Sequence, residues 1–255
     1  MNNIKSFLVN KERNIILLDT VDSTNNYAKR LASEGEPSGS VVIASSQTAG
    51  KGRLGRSFAS PDGTGIYMSI IVRPDYDMET VSLLTSCMAV AAARAVDRLY
   101  NTDVKIKWVN DLYLGGRKIC GILTEASVNS KGKAEFAVVG VGINVKSVKN
   151  HFSQELLEIA TSLEDETGKN VDLMRIAAEI INEADRLFPG LEKAEFIEEY
   201  RKRSCITGCD VIISKHGSEL TAKAVGITDR AGLIVEYSDG TREVVTSGEA
   251  RIKKS

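Results

Sequence analysis

The sequence predicts an α/β domain followed by a small all-β module. Up to about residue 205, short apolar runs typical of strands are interspersed with segments of helical periodicity. From Asp210 onward, only short apolar runs separated by turn residues remain. The content of 42% hydrophobic and 26% charged residues is that of an ordinary globular protein. We therefore predict a main domain over residues 1–205 and a β module over residues 206–255.

The main domain opens with a strand, a turn and a helix. Asn14–Leu18 suits a buried strand, and Asp22–Asn25 then offers helix-capping side chains. Val41–Ser46 and Ile66–Val72 are typical of further strands, and residues 50–65 between them form a long loop. Because loops longer than about 12 residues are uncommon in compact domains and often functional, this loop is a candidate functional segment.

A long helix and a hairpin follow. Glu79–Tyr100, rich in Ala and free of Gly and Pro, is predicted to be one core helix. Val104–Val109 is a predicted strand, and the runs on either side of Gly115-Gly116 indicate a tight hairpin. We expect Phe136–Val145 to close the sheet. The remaining predictions are helices around Gln154–Thr167, Asp172–Phe188 and Leu191–Ser204, and module strands at Val211–Ser214, Leu220–Ile227, Leu233–Tyr237 and Glu243–Thr246.

Composition excludes several functional classes. Lys and Arg number 33 against 34 Asp and Glu, so no net field draws the molecule to nucleic acid or to an anionic membrane. The most apolar long segment, Val81–Val96, is too short for a bilayer span, and no export signal begins the chain. The four cysteines lack the spacing of a zinc module. We therefore expect a cytoplasmic protein with reduced thiols, without a bound structural metal or a membrane partner.

The strongest local signal is Gly50–Arg56, which packs three glycines and three cations into seven residues. Glycines let backbone N–H groups approach a ligand, and the cations add charge-assisted bonds to anionic oxygens. This composition predicts an anion cradle; the alternative is a solvated basic loop. The pattern also matches the Gly-x-Gly-x-x-Gly motif of dinucleotide folds, but no helix opens there and no acidic residue follows at a strand end.

A second cluster is Lys107–Asp111, which runs into the hairpin that carries Lys118. Strand alternation places Lys118 on one face with Cys120, Ile122 and Thr124. A lysine on a largely uncharged face favours an anionic ligand, although it could also extend to solvent. Trp108 is either core or a stacking surface, and Asn110-Asp111 alone is also compatible with a capped bend.

A third cluster combines glycines in a strand with polar groups at a helix start. Gly140 and Gly142 lie two apart in an apolar strand and face the same side, where a flat apolar ligand or a packed helix would fit. Asp22–Asn25 and Gln47 offer small polar groups for an uncharged polar ligand such as a cyclic urea. A plain helix cap is the alternative for Asp22–Asn25.

In order and spacing, these segments resemble the biotin protein ligase family. The matching segments are Asp22–Asn25, Gln47–Arg56, Ser60-Pro61, Lys107–Asp111, Gly116–Lys118, Gly121–Glu125 and Gly140–Asn144, and in the tail Gly226–Asp229, Gly232-Leu233 and Ser247–Glu249. The resemblance implies an α/β fold like the catalytic domains of class II aminoacyl-tRNA synthetases, with a mixed, mostly antiparallel sheet and a C-terminal SH3-like β-barrel. It also implies activation of biotin by ATP, with Mg²⁺, and transfer of biotin to a lysine of a carboxylase's biotin carrier protein.

The same resemblance assigns roles to particular residues. It implies that Lys118, Arg53 and Arg56 are catalytic, with Lys118 at the biotin carboxylate and the reacting α-phosphate. The implied binding residues for biotin and the adenylate are Ser23, Thr24, Asn25, Gln47, Gly50, Lys51, Gly52, Arg53, Trp108, Asn110, Asp111, Lys118, Gly142 and Asn144. No residue is implied as a metal ligand, and Asp111 is a candidate general base by position.

Three positions depart from the family pattern: Phe58 replaces an expected Trp, Val109 an expected Pro, and Lys51 a common Arg. The residues before Asp19 are too few for the helix-turn-helix domain of repressor-type members, so we expect no binding to operator DNA. A homodimer is plausible from the resemblance. The alternatives are a lipoate ligase of similar fold and a non-catalytic nucleic-acid-binding module.

Overall fold

The computed structural model describes residues 4–74, 76–130, 132–170, 172–215 and 218–253. Its helices are α1 Ile4–Phe7, α2 Thr24–Ser33, α3 Met78–Ser82, α4 Leu84–Tyr100, α5 Gln154–Leu157, α6 Leu163–Thr167, α7 Leu173–Leu187 and α8 Ile197–Arg203. Its strands are β1 Ile15–Val21, β2 Val41–Gln47, β3 Gly65–Val72, β4 Lys105–Lys107, β5 Asp111–Leu114, β6 Arg117–Val128, β7 Ala134–Asn144, β8 Asp210–Lys215, β9 Ser218–Ile227, β10 Leu233–Glu236, β11 Arg242–Val245 and β12 Glu249–Ile252.

The main domain is built on a seven-stranded sheet in the order β1-β2-β3-β7-β6-β5-β4. Only β1 and β2 pair in parallel, and the other neighbours are antiparallel, so the predicted mixed, mostly antiparallel sheet is confirmed. The expectation that the run Phe136–Val145 closes the sheet is wrong. This run forms β7, which is the central strand of the sheet and not an edge strand. Most side chains of β7 are buried on both faces, which explains its continuous apolar run.

Two hydrophobic cores cover the two faces of this sheet. On one face, Ala28 and Ala32 of α2 pack with Val42, Ile71 and Val138. On the other, α4 and α7 pack against the sheet in the larger core. Successive residues of β2 point to opposite cores, as strand geometry requires. The turn between β1 and α2 lies beside the end of β2, where the Thr48 and Ala49 N–H groups donate to the Val21 and Asp22 carbonyls at 2.9 and 2.8 Å.

The predicted single helix over Glu79–Tyr100 is two helices, α3 and α4. Asp77 caps α3, since its carboxylate accepts a hydrogen bond from the Thr80 N–H at 2.8 Å. By length and composition, the stretch Met78–Tyr100 is sufficient to cross a membrane, contrary to the expectation from Val81–Val96. Of its most apolar window, 78% is buried inside the protein, as is usual for a core helix.

The C-terminal residues form a second, five-stranded antiparallel sheet in the order β11-β10-β9-β8-β12. This confirms the small all-β module; β12 and the short α1 were not predicted. The module joins the main domain where the Cys205 N–H donates to the Ile106 carbonyl at 3.0 Å. Its apolar side chains continue the larger core. The boundary between residues 205 and 206 and the SH3-like barrel stay predictions.

Candidate active site

Two adjoining clefts lie over β6 and β7 of the main sheet. The inner cleft, of about 310 Å³, is bounded by the start of α2, the end of β2 and the glycines of β6 and β7. The outer cleft, of about 670 Å³, lies between the loop after β2, the β4–β5 turn and β12. They share Lys51, Phe58, Gly121 and Leu123. A single ligand can therefore extend from one cleft into the other.

Hydrogen bonds between α2 and β2 set the polar wall of the inner cleft. Gln47 Oε1 accepts from the Thr24 N–H at 2.8 Å and from the Thr24 hydroxyl at 3.2 Å, and Gln47 Nε2 donates to Ser60 Oγ at 2.8 Å. Ser23 is the N-cap residue of α2, but its side chain makes no capping hydrogen bond. The helix-cap alternative therefore does not account for Ser23, whose buried hydroxyl lines the cleft.

The side-chain amide of Asn25 forms hydrogen bonds with other residues of the protein. Its Nδ2 donates to the Leu123 carbonyl at 3.2 Å and to Glu125 Oε2 at 2.8 Å, and its Oδ1 accepts from the Ser69 hydroxyl at 2.7 Å. Gly140 makes room for it, since a Cβ there would lie 2.2 Å from Asn25 Oδ1. Asn25 thus holds α2 against the sheet and shapes the wall of the inner cleft.

Glu125 anchors this network from β6. Its carboxylate contacts Lys29 Nζ at 2.6 Å as well as the Asn25 amide. Burial raises the pKa of Glu125, but the hydrogen bonds from Lys29 and Asn25 outweigh burial, and the pKa of this carboxyl is lower than usual. The carboxylate therefore stays charged at neutral pH and fixes the Asn25 amide in one orientation.

Phe58 lies on the glycine floor that the two clefts share. A Cβ on Gly142 would lie 2.6 Å from Phe58 Cε1, and a Cβ on Gly121 would lie 3.3 Å from Phe58 Cε2. The ring meets Tyr67 edge-on, with 6.4 Å between the centroids. The structure thus shows a flat ring on the surface formed by Gly142, where a flat apolar ligand was predicted. The ring belongs to the protein itself, and sequence reasoning noted Phe58 only as a departure from the family pattern.

Lys118 faces the clefts, but not with the neighbours that strand alternation predicts. The pairing of β5 with β6 shifts register between Leu112 and Tyr113, which leaves an extra residue, Ile119, on β6. A Cβ on Gly121 would lie 3.2 Å from Lys118 Nζ, whereas Cys120 and Ile122 are buried in the core. The predicted face shared with Cys120 and Ile122 is therefore wrong, because the bulge reverses the alternation.

The surroundings of Lys118 are also more charged than predicted. Its Nζ lies 2.7 Å from Asp111 Oδ1, and both side chains are more than two thirds buried. Lys107, which also lines the outer cleft, lies with its Nζ 5.7 Å from the Tyr113 ring centroid. The paired Lys118 and Asp111 thus place one cation and one carboxylate in the outer cleft, with Lys118 beside Gly121, which lines both clefts.

The two arginines of the glycine-rich loop contact the C-terminal module. Arg53 donates to Asn110 Oδ1 at 3.3 Å and to the Gly248 carbonyl at 3.1 Å. Burial lowers the pKa of the Arg53 guanidinium, while the nearby carboxylates of Asp111 and Glu249 act to raise it. Arg56 forms a two-point ion pair with Glu249, with 2.6 Å between Nη2 and Oε2.

These contacts favour the anion cradle over the solvated basic loop, because Arg53 is partly buried and aimed into the outer cleft. They also add Gly248 and Glu249 of the module to the site, which sequence reasoning missed. The only sequence signal for them was the resemblance at Ser247–Glu249.

Most of the predicted site residues meet in these clefts. Those that line one or both are Ser23, Thr24, Asn25, Gln47, Lys51, Gly52, Arg53, Arg56, Trp108, Asn110, Asp111, Lys118 and Gly142. Gly50 and Asn144 line neither.

Gly50 and Asn144 have structural contacts instead. Gly50 allows the two ends of the loop to approach closely, since a Cβ there would lie 2.4 Å from the Phe58 carbonyl oxygen. Asn144 is buried at the end of β7, where its amide donates to the Thr161 carbonyl at 2.9 Å.

Trp108 borders the outer cleft and also connects the two parts of the chain. It is almost completely buried, and its Nε1–H donates to the Ala231 carbonyl in the C-terminal module at 2.8 Å. The Trp108–Val109 peptide bond is cis. The indole thus packs as a core residue at the base of the cleft and fixes the β4–β5 turn against the module.

Comparison with known proteins identifies the family. The profile of the Biotin/lipoate A/B protein ligase family matches residues 17–144, and that of the biotin protein ligase C-terminal domain matches residues 210–251. The chain is 30% identical over 240 residues to the bifunctional ligase/repressor BirA of Bacillus subtilis, covering 92% of this chain and 73% of that protein. The chain belongs to the biotin/lipoate A/B protein ligase family.

Further relatives place the chain on the biotin side of this family. It is 29% identical to the biotin--[acetyl-CoA-carboxylase] ligase of Mycobacterium tuberculosis, covering 93% of this chain and 88% of that protein. Its fold matches the biotin protein ligase of Aquifex aeolicus, solved in complex with biotin and ATP, with a TM-score of 0.80, 26% identity and coverage of 95% and 99%. The predicted resemblance, fold class and enzyme class, a biotin ligase, are confirmed.

Proposed function

We propose that this biotin ligase activates biotin with ATP to biotinyl-5′-AMP and transfers the biotin to a lysine of a carboxylase's biotin carrier protein. The observation that carries the proposal is the junction of the two clefts. A small cleft with a polar wall and a glycine floor opens directly into a larger cleft that contains Lys118, Arg53 and Arg56. This arrangement suits a small bicyclic acid whose carboxylate must meet a nucleotide phosphate.

In the inner cleft, the hydroxyls of Ser23 and Thr24 and the Gln47 amide face the ureido ring of biotin. These groups can donate to its carbonyl oxygen and accept from its N–H groups. The apolar ring system then lies on the floor at Gly142 in place of the Phe58 ring. The valeryl chain extends over Gly121 and brings the carboxylate to Lys118. Phe58 moves with its loop and covers the bound ring from the solvent side.

In the outer cleft, a biotin carboxylate oxygen attacks the α-phosphorus of ATP. A bond forms between the carboxylate oxygen and the α-phosphorus. The bond from the α-phosphorus to the oxygen that bridges to the β-phosphorus breaks, and pyrophosphate leaves with that electron pair. Lys118, Arg53 and Arg56 neutralise the carboxylate, the phosphoryl oxygens and the leaving group, which is the main requirement of phosphoryl transfer.

Mg²⁺ bound to ATP supplies further charge neutralisation at the phosphates. Within the described ranges of the chain, no group of three or more His, Cys, Asp or Glu side chains could hold a metal ion. The cationic side chains of the outer cleft would orient the phosphates that the ion accompanies.

In the second half-reaction, the amine of the acceptor lysine attacks the carbonyl carbon of the mixed anhydride. The N–C bond forms, the C–O bond to the phosphate breaks, and AMP leaves with the electron pair. The positive charges of Arg53 and Lys118 disfavour the ammonium form of an approaching lysine, which therefore gives its proton to solvent water before the attack. Asp111 and Glu249, the two carboxylates that line the outer cleft in the described structure, are both paired with cations.

We extend the proposal to a cytoplasmic location, a homodimer and no binding to operator DNA. The formal net charge of −1 supports the last point, since no excess of positive charge favours contact with phosphate backbones. Sedimentation of the purified protein with and without biotin and ATP tests the dimer, and a gel-shift assay with operator DNA tests the absence of DNA binding.

The proposed activity is tested by ATP–pyrophosphate exchange with the purified protein and Mg²⁺. Biotin, lipoate and octanoate are compared as the activating acid. Exchange that depends on biotin is expected, because the polar wall matches a ureido ring and neither lipoate nor octanoate carries one. Exchange with lipoate alone would transfer the chain to the lipoate branch of the family, and absence of exchange with any acid would refute the adenylation step.

A further inference from the structure

A third groove runs from the outer cleft to the protein surface. Its walls come from α3, the start of α4, β6, and the turn between β9 and β10. Arg53 lines both this groove and the outer cleft, and Leu123 lines the groove and both clefts. The groove therefore adjoins the outer cleft, on the side where the carboxylate end of the bound acid is proposed to lie.

The charged side chains that line this groove are all positive. Among the residues that the structure describes, its charged lining side chains are Arg53 and Arg230, and no carboxylate lines it. The other lining side chains are apolar or carry hydroxyls, such as Met78, Val81 and Thr85. A partner that fits this surface needs a carboxylate for Arg230 and a small apolar contact for Met78.

Arg230 is available to such a partner. Its guanidinium pairs with Glu79 at 3.3 Å, with side-chain exposures of 44% and 65%, and its Nη1 also donates to the Glu192 carbonyl at 3.3 Å. Exposed ion pairs contribute little to stability because water screens them. A carboxylate of a bound protein can therefore displace Glu79 and be desolvated against Arg230, where the pairing is stronger.

We propose that this groove docks the acceptor protein, with an acidic side chain near its target lysine paired to Arg230. The lysine then passes Leu123 and enters the outer cleft beside Arg53. This inference rests on the proposed ligase function and adds to it the surface and the charge that select the acceptor. It also assigns Arg230 and Met78 to acceptor recognition, apart from biotin and ATP.

The test compares adenylation with transfer in the full-length protein. The variant Arg230→Glu is assayed for biotin-dependent ATP–pyrophosphate exchange and for transfer to a purified biotin carrier domain at low ionic strength. Because two carboxylates then face each other, the KM for the carrier domain should rise about tenfold or more. Exchange should stay within about twofold, since Arg230 lies outside the two clefts. Added salt should reduce the difference between variant and parent.

Two further variants make the result specific to the groove. Met78→Glu adds a negative charge to the same groove at the first turn of α3, where an acidic residue suits the helix, and should also raise the KM for the carrier. Arg242→Glu is the control, because Arg242 is an exposed arginine of the same module paired with Glu236 at 2.8 Å, and it does not line the groove.

The outcomes distinguish failure of the docking proposal from failure of the ligase proposal. If both groove variants give the carrier KM of Arg242→Glu while exchange persists, the groove is not the docking surface. If the unaltered protein fails to catalyse exchange, the ligase proposal itself is refuted. A raised KM for the carrier in both groove variants, with exchange intact, supports the docking surface.

Discussion

The substitution Gly142→Ala tests whether the glycine floor binds the ring of the activated acid. A Cβ at this position would lie 2.6 Å from Phe58 Cε1. Carbon atoms in contact prefer about 3.5–4.0 Å, so a ring on this floor must retreat by about 1 Å. In the free protein Phe58 is a loop side chain and can move, and the fold should be little affected. A bound bicyclic ring is also held by the polar wall at Gln47 and cannot retreat freely.

The magnitude follows from the size of this clash. Overpacking by one methyl in a confined site costs about 1–3 kcal/mol, which corresponds to about a 5- to 150-fold weaker interaction. We therefore expect the KM for biotin in ATP–pyrophosphate exchange to rise by that factor. The KM for ATP should change little, because Gly142 lines the inner cleft and not the outer one.

The matched control is Gly226→Ala in β9. There an added Cβ would meet Ile234 Cδ1 at 3.5 Å, an ordinary contact, and Gly226 lines neither cleft. Both variants are checked for folding by thermal unfolding. A Gly142→Ala protein that folds and keeps the biotin KM of the Gly226→Ala protein would show that the acid does not lie on this floor.

Three further substitutions test the charges of the site. Lys118→Met should lower kcat for exchange by about 10²–10³, as expected for loss of one preorganised group that stabilises developing charge; an unchanged kcat removes Lys118 from the chemistry. Glu249→Gln frees Arg56 from an exposed pair, so the KM for ATP should change by about fivefold or less, and a complete loss of exchange would contradict this. Because the pKa of Glu125 is depressed, its stabilising contribution is present above its ordinary pKa of 4.5 and is lost as pH falls through its lowered value. Glu125→Gln should therefore flatten the acid limb of a plot of Tm against pH, whereas an unchanged acid limb would show that the Lys29 and Asn25 contacts do not stabilise the fold.

Much of the fold was predictable because local pattern and tertiary environment agree. Helix α2, the apolar run of β2 and the Gly115-Gly116 hairpin all form as their local patterns predict, although the side chain of Ser23 makes no capping hydrogen bond. Helix α4 was predicted correctly in type, but its separation from α3 at Leu83 was not, since neither Gly nor Pro marks the break.

The orientation of Lys118 could not be predicted, because it depends on a bulge. A β-bulge arises from how β5 and β6 pair, and nothing in the sequence of β6 alone places an extra residue at Ile119. One inserted residue moves every preceding side chain to the other face. The chemical prediction for Lys118 was nevertheless compatible with its position, since the lysine does face the clefts.

The contribution of the C-terminal module could not be predicted either. Its contacts to Arg53 and Arg56 join residues almost two hundred positions apart, as in the pair Arg56 and Glu249 with a separation of 193. Such contacts depend on how the two sheets pack against each other, which the hydrophobic periodicity of the sequence does not predict. The order of motifs indicated the family, but only the structure shows which module closes the outer cleft.

The outer cleft has one wall in each part of the chain, with Lys118 on the main sheet and Glu249 on β12. Any molecule that fills it is held from both sides, so its binding energy opposes separation of the two parts. Ligand binding therefore raises the resistance of the whole chain to unfolding, rather than that of one part. The C-terminal module is consequently not interchangeable, because a module from another protein would have to reproduce the contacts of Gly248 with Arg53 and of Glu249 with Arg56.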